Sequence, residues 1–345
     1  MKKMLALLLA LVMVLSLAAC ASSQPAAAST ETAETTETTE PAAEESAEAP
    51  AESGKTYTVG VCQLVQHEAL DAATQGFVDA LKEELGDAVT VDVQNASGDS
   101  VNCGTIVNGF VSKGVDLIMA NATPALTAAV SATADIPILG TSITAYGVAL
   151  DIDDFNGTVG GNVSGTSDLA DLQAQAQMIL DWFPETKTVG LLFCSAEPNS
   201  RYQIEEVRKA LEAQGVTCEE FAFTDSNDVS SVTQKAADFS DVVYIPTDNT
   251  AASNTEAIAN VLIPAGVPAV CGEEGLCRGC GVATLSISYY DLGVTTGKMA
   301  AKILKGEADI STMPVEYTDA TPKYNASVCE QLGITPLDGY EAIDG

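Results

Sequence analysis

TVGLLFC, residues 188–194, runs straight into SAEPNS, residues 195–200. A stretch suited to a buried strand therefore ends on Ser195, Glu197, Asn199 and Ser200, a dense set of short polar side chains. The opening TVG also stands at the head of TVGVCQLV, residues 58–65. The strand-like runs that follow the first copy are VTVDV (89–93), VDLIMA (115–120) and IPILG (136–140). Those that follow the second are VTCEEFAF (216–223), VVYIP (242–246) and VPAVC (267–271), each offset by about 130 residues from its counterpart. Helically spaced segments lie between them, as in LDAATQGFVDALKEEL, where Leu70, Ala73, Phe77, Ala80 and Leu81 share one face. Helices alternating with continuous apolar strands imply a parallel sheet covered on both faces. The repetition predicts an α/β chain of two doubly wound lobes, built mainly on residues 56–163 and 164–283.

Open parallel sheets bind ligands at the carboxyl ends of their strands. VDLIMA is followed by NATPAL, with Thr123 suited to an N-cap and Pro124 to the first helical position; a helix start of this kind offers backbone N–H groups to an anion. IPILG is followed by TSIT (141–144), VVYIP by TDNT and VPAVC by GEEG. Capping accounts equally well for several of these residues, Asn199, Ser200, Asp248 and Asn249 among them, so both roles stay open. The carboxylates Asp168, Glu197, Asp248, Glu273 and Glu274 outnumber the nearby cations Arg201 and Arg278. Such a cleft suits an ammonium group, and the NATPAL amides suit a carboxylate. Together these describe an amino acid. Asp248 is the expected ammonium partner, with Glu273 or Glu274 as second candidate.

The front of the chain is different in kind. Lys2 and Lys3 precede an apolar run from Leu5 to Ala19, broken only by Ser16, which is too short to cross a bilayer but suits a secretory leader. The run ends in LAAC, Leu17 to Cys20, which resembles a bacterial lipobox and implies cleavage of residues 1–19 with lipid on Cys20. Residues 20–55 follow, nearly all Ala, Ser, Thr, Glu and Pro; their eight Glu and lack of apolar periodicity predict a disordered acidic tether. The formal charge is -33, and loss of two leader lysines makes it -35. That argues against nucleic acid as a partner, since phosphate contacts need Lys and Arg.

Eight cysteines remain after Cys20, and a chain of this size has a core that does not depend on disulfides. CRGC (277–280) lacks the second pair a structural zinc site needs, and the sole histidine, His67, is far away in sequence, so neither metal nor cofactor is expected. No nucleophile elbow or phosphate loop is present, which argues against an enzyme.

The motifs QLVQHEALDAATQGFVDAL, DVQNASGD, VDLIMANATPA, NVSGTSDL, SAEPNS, PTDNT, GEEG and SYYDLGVTTGKMAAKILKGE, spread over residues 57 to about 306, resemble the substrate-binding lipoproteins of ABC transporters. The resemblance is to those of the tryptophan- and tyrosine-binding type, with the type I periplasmic-binding-protein fold. It implies a receptor anchored at the outer face of the bacterial cytoplasmic membrane through Cys20. It would close two lobes on an amino acid, with aromatic Trp, Tyr or Phe implied, and hand it to the permease and ATPase subunits. Three crossovers would form the hinge: NVSGTSDL, GVATLSISYY, and the chain after about Val315. The lobes then comprise 56–163 with about 287–314, and 164–286 with about 315–345. The implied ligand-binding set is His67, Ala122, Thr123, Thr141, Ser142, Thr166, Ser167, Asp168, Ser195, Glu197, Asn199, Ser200, Asp248, Asn249, Glu273 and Glu274. CRGC, Cys62 and Cys103 depart from the family pattern. A solute sensor feeding a signalling partner shares the fold and site, and a branched-chain amino acid, a nucleoside or a sugar is the alternative solute. Trp182, the only tryptophan, is placed on a helix, which disfavours a sugar-stacking platform.

Overall fold

A computed structural model describes residues 54–343; the leader, Cys20 and almost all of the expected tether lie outside the described residues. The first run of elements is β1 (Tyr57–Gln63), α1 (Glu68–Leu85), β2 (Val89–Asn95), α2 (Ser100–Lys113), β3 (Leu117–Asn121), α3 (Thr123–Ala132), β4 (Ile138–Ile143), α4 (Tyr146–Ala149) and β5 (Val163–Ser167). The second begins with α5 (Leu172–Trp182), β6 (Thr188–Cys194), α6 (Pro198–Glu212), β7 (Thr217–Phe223), α7 (Val229–Phe239) and β8 (Val242–Ile245). It continues through α8 (Asn249–Ala252), α9 (Thr255–Ala265), β9 (Ala269–Cys271), α10 (Glu274–Cys280) and β10 (Ala283–Ser286). The chain then returns with α11 (Tyr289–Lys305), β11 (Glu316–Tyr317), β12 (Thr321–Tyr324), α12 (Ala326–Leu332) and β13 (Glu341–Ala342).

Two sheets result. The first has the order β11-β5-β4-β3-β1-β2 and is parallel throughout. The second has the order β13-β12-β10-β9-β8-β6-β7, parallel except where β12 runs against β10. Strands β2-β1-β3-β4-β5 and β7-β6-β8-β9-β10 thus repeat one doubly wound order, each reversing beside its first strand, where ligands bind in such sheets. Every residue of β3 is buried, as expected of a strand covered on both faces.

Two expected boundaries move. The sequence puts residues from 164 in the second lobe, yet β5 pairs with β4 in the first sheet; it puts residues beyond 314 in the second lobe, yet β11 pairs with β5. The chain therefore passes between sheets at 168–171, 287–288 and 318–320. The return helix α11 lies on α1, where Gly76 faces the Tyr290 carbonyl and Gly293 faces the Ala73 carbonyl. A Cβ at either glycine would collide with backbone, so the two helices can approach this closely only as the sequence stands. Trp182 is buried in the second-lobe core, edge-on to Tyr340 at 5.1 Å.

Candidate functional site

The carboxyl ends of both sheets enclose a cavity of about 10 Å³, room for about one water molecule. His67, Leu70, Ser142, Thr144, Asp168 and Tyr289 line it from the first-sheet side, and Asn199, Thr247, Asp248, Asn249, Ala252 and Glu273 from the second. No Lys or Arg lines it. A recess of about 360 Å³ adjoins it through Asn249, bounded by Leu64, Pro124, Glu197 and the Thr224–Asn227 turn. A second recess of about 280 Å³ lies on the other side, between Glu68, Glu274, Ser288 and Lys323.

Three of the buried side-chain atoms without a hydrogen-bond partner meet here: Ser142 Oγ, Asp168 Oδ1 and Asn199 Oδ1. A buried polar atom left unpaired is costly, so such a concentration marks a place built to receive polar groups. Backbone strain lies at Ser142 in the cavity and at Ala122 on the neighbouring strand end. Ala122 after β3 has φ 92° and Ser142 at the end of β4 has φ 56°, both in a region that non-glycine residues avoid and that clusters at functional sites.

Asp168 follows β5. Its Oδ2 accepts a hydrogen bond from the Tyr289 hydroxyl at 2.9 Å while Oδ1 is unpartnered. Burial pushes its pKa up to about 6, against the pull of the Tyr289 hydroxyl. Asp248 differs. Its Oδ2 accepts from Cys194 N–H at 2.6 Å and its Oδ1 from Ala251 N–H at 2.8 Å, so it caps α8 and ties it to the end of β6. Burial and then the Glu197 charge raise it to about 8. Glu197 is committed in the same manner: Oε1 accepts from Thr250 N–H and Oγ1–H, and Oε2 from Asn249 N–H and Nδ2–H. Glu273 caps α10 through Gly275 N–H at 2.7 Å and Leu276 N–H, and burial lifts it to about 7.

The remaining expected residues divide. Asn199 Nδ2 donates to Thr247 O at 3.1 Å, leaving its Oδ1 free for the cavity. His67, half-buried, sets Nε2 3.2 Å from Asn249 Oδ1 across the lobe boundary; burial lowers its pKa, against Asn249 and the charges of Glu197 and Asp71. Ala122 and Thr123 stay outside the cavity lining, and Ala122, not Thr123, is the N-cap of α3. Thr141 and Thr166 are internal: Thr141 Oγ1 lies 3.1 Å from Thr166 Oγ1, which lies 2.9 Å from Thr296 Oγ1, joining β4, β5 and α11. Ser167 Oγ donates to Thr144 O at 3.0 Å, Ser195 Oγ donates to Phe223 O at 3.1 Å, and Ser200 is fully buried off the cavity. Glu274 faces outward to Arg278 at 2.7 Å and Lys323 at 2.5 Å. Arg278 also reaches Glu68 of α1 at 3.1 Å, an ion pair between the lobes.

Sequence reasoning missed Leu70, Thr144, Thr247, Ala252 and Tyr289. Thr144 and Thr247 stand in the quoted TSIT and TDNT tracts and could have been taken with their neighbours. Tyr289 reaches Asp168 from a helix 121 residues further along, with no local signal.

Two repeated α/β lobes, crossed three times by the chain and meeting at a cavity of unsatisfied polar groups, define a two-lobed solute receptor of the type I periplasmic-binding architecture. The model of the ABC transporter substrate binding protein family matches residues 58–339, and the chain belongs to that family, one of receptors and not of enzymes. A tyrosine-binding protein of Clostridioides difficile is 32% identical over 276 residues, covering 78% of this chain and 79% of that protein. The L-Trp complex of an ABC domain from Streptococcus pneumoniae shares 32% identity and a TM-score of 0.79, covering 84% of this chain and all of that one. The ligand-free, open structure of a substrate-binding protein with adhesive properties from Clostridium difficile, also 32% identical, covers 84% of this chain and 99% of that one with a TM-score of 0.64.

Proposed function

We propose that this chain is the amino-acid receptor of an ABC importer, with an aromatic amino acid as solute and lipid on Cys20 as its anchor. The observation that carries the reading is the convergence of Ser142 Oγ, Asp168 Oδ1 and Asn199 Oδ1, each buried and unpaired, on one cavity without a cation. Asp168 takes the ligand's ammonium, in place of the Asp248 expected from the strand-end pattern, because both Asp248 oxygens already accept backbone N–H groups. Ser142 donates to the carboxylate. Asn199 Oδ1 accepts from a ligand donor on the second-lobe side, and the lobes part to admit the side chain. The aromatic class rests on the tyrosine- and tryptophan-binding relatives. A chain of this family works outside the cytoplasm, and among the described residues no helix is long and apolar enough to cross a membrane.

Thermal shift with the twenty amino acids, sugars and nucleosides tests the solute, since a ligand stabilises by mass action. Stabilisation by Trp, Tyr or Phe supports the reading; a response confined to sugars or nucleosides sinks it. For the anchor, Cys20→Ala is expected to move the protein out of the membrane fraction, and continued lipid labelling of the variant overturns it.

A further inference from the structure

We propose that Tyr289 is the positioning residue of the ammonium site, its hydroxyl aiming the Asp168 carboxylate at the ligand and holding it ionised. The inference rests on the assignment of Asp168 to the ligand's ammonium. Asp168 is the first residue of the passage at 168–171, and Tyr289 is the first residue of α11, directly after the passage at 287–288. Across these 121 positions of sequence, the Tyr289 hydroxyl donates to Asp168 Oδ2 at 2.9 Å. Both side chains are buried and both line the central cavity. The bond therefore joins two of the three places where the chain passes between the lobes.

Each end of the bond is fixed independently. Asp168 N–H donates to Ile143 O at 3.2 Å, which holds its backbone against the end of β4. That contact leaves the carboxyl free to turn, since the last torsion of an Asp side chain is broad and roughly two-fold. Tyr289 supplies the missing restraint. Its ring packs in a cluster with Ala69 and Ala73 of α1 and with Ile287 and Leu292, and Ser288 Oγ caps α11 by accepting from Asp291 N–H at 3.2 Å. Packing alone would be served by Phe. The hydroxyl engages Oδ2, and Oδ1 is the oxygen left over, buried and without a partner. A donor to a carboxylate also favours its ionised form, so the bond opposes the burial that raises Asp168. The surroundings hold no cation to do this instead. No Lys or Arg lines the cavity, burial keeps His67 at the start of α1 neutral, and Asp248 before α8, Glu273 before α10 and Tyr146 of α4 are acids.

Tyr289→Phe keeps the ring and removes only the hydroxyl. Isothermal titration near neutral pH with the preferred aromatic amino acid is expected to show affinity about tenfold weaker than wild type, as for loss of one hydrogen bond to a charged group. In an Asp168→Asn background the same change should cost less than about twofold, because a residue acting through Asp168 then has no charge to act on. The ligand-free protein gives a second readout by NMR. The carboxyl carbon of Asp168, assigned by its loss in Asp168→Asn, titrates near pH 6 in the wild type and about one pH unit higher in Tyr289→Phe. Should the variant not fold, the Tyr289 hydroxyl proton of the wild type, slow to exchange and shifting as Asp168 titrates, reports the same bond without mutation. Equal losses of affinity in the two backgrounds, or an unchanged carboxyl midpoint, overturn the proposal. A wild type that binds no amino acid sinks the receptor reading itself, whereas a wild type that binds one no better than Tyr289→Phe sinks only the role given to Tyr289.

Discussion

The two halves of the cleft use the same residue types for opposite purposes. On the second-lobe side, Glu197, Asp248 and Glu273 each place both carboxylate oxygens on N–H groups of a neighbouring helix start. On the first-lobe side, Asp168 and Ser142 keep buried oxygens unpaired, and two residues at adjacent strand ends hold positive φ. One half has spent its acids on its own framework, while the other holds polar capacity in reserve. A carboxylate at a strand end is therefore by itself no sign of a ligand contact, since a helix start can take both of its oxygens.

That contrast is open to attack by substitution. Asp168→Asn has the largest expected effect on binding: loss of a buried charge partner costs roughly 2–5 kcal/mol, at least about 30-fold in affinity, with little loss of stability. Isothermal titration with the preferred aromatic amino acid measures it. Asp248→Asn is expected to act on the fold instead. An amide has one acceptor oxygen where two N–H bonds are made, so one hydrogen bond is lost, about 0.5–1.5 kcal/mol in denaturant unfolding near neutral pH, with affinity changed less than tenfold. If Asp248→Asn outweighs Asp168→Asn in affinity while melting normally, the assignment of the two halves is reversed.

Acidification separates the halves without mutation. Asp168 at about 6, Glu273 at about 7 and Asp248 at about 8 all lie above the ordinary carboxyl range, so the folded chain binds more protons than the unfolded one between about pH 4 and 8. Stability of the ligand-free protein should therefore fall as pH rises through that window and grow as pH drops. Ligand-induced stabilisation should move the other way below about pH 6, where Asp168 loses its charge. Melting curves with and without ligand from pH 5 to 8 show both trends; parallel curves contradict the role given to Asp168. Ser142→Ala is smaller still, about 0.5–1.5 kcal/mol in affinity. Thr123→Ala, off the cavity, should leave affinity unchanged.

The lobes were legible in sequence because parallel strands buried on both faces leave apolar runs that survive without context. β5 was not read as a strand. VSGTS has one aliphatic residue, and its burial is made tolerable by hydroxyl contacts from Thr141 and Thr296 that no local pattern reveals. β11 and β13, two exposed residues each, carry no periodicity at all. At the strand ends, the expected residues His67, Ser142, Asp168, Asn199, Asp248, Asn249 and Glu273 line the cavity between the sheets. Which of them were already satisfied could not be read, because capping and ligand contact select the same side chains, and only the position of the next helix start separates them.

The three short passages at 168–171, 287–288 and 318–320 have a mechanical consequence. A single strap would let one lobe swivel on the other, but three side by side behave like the pins of a door, leaving one axis of rotation. None of these residues borders the recess of about 360 Å³, so that recess is the free edge of the door. If the lobes turn about these passages, ligand is expected to enter by Pro124 and the Thr224–Asn227 turn, and closure to return Asp168 to its place opposite Asn199.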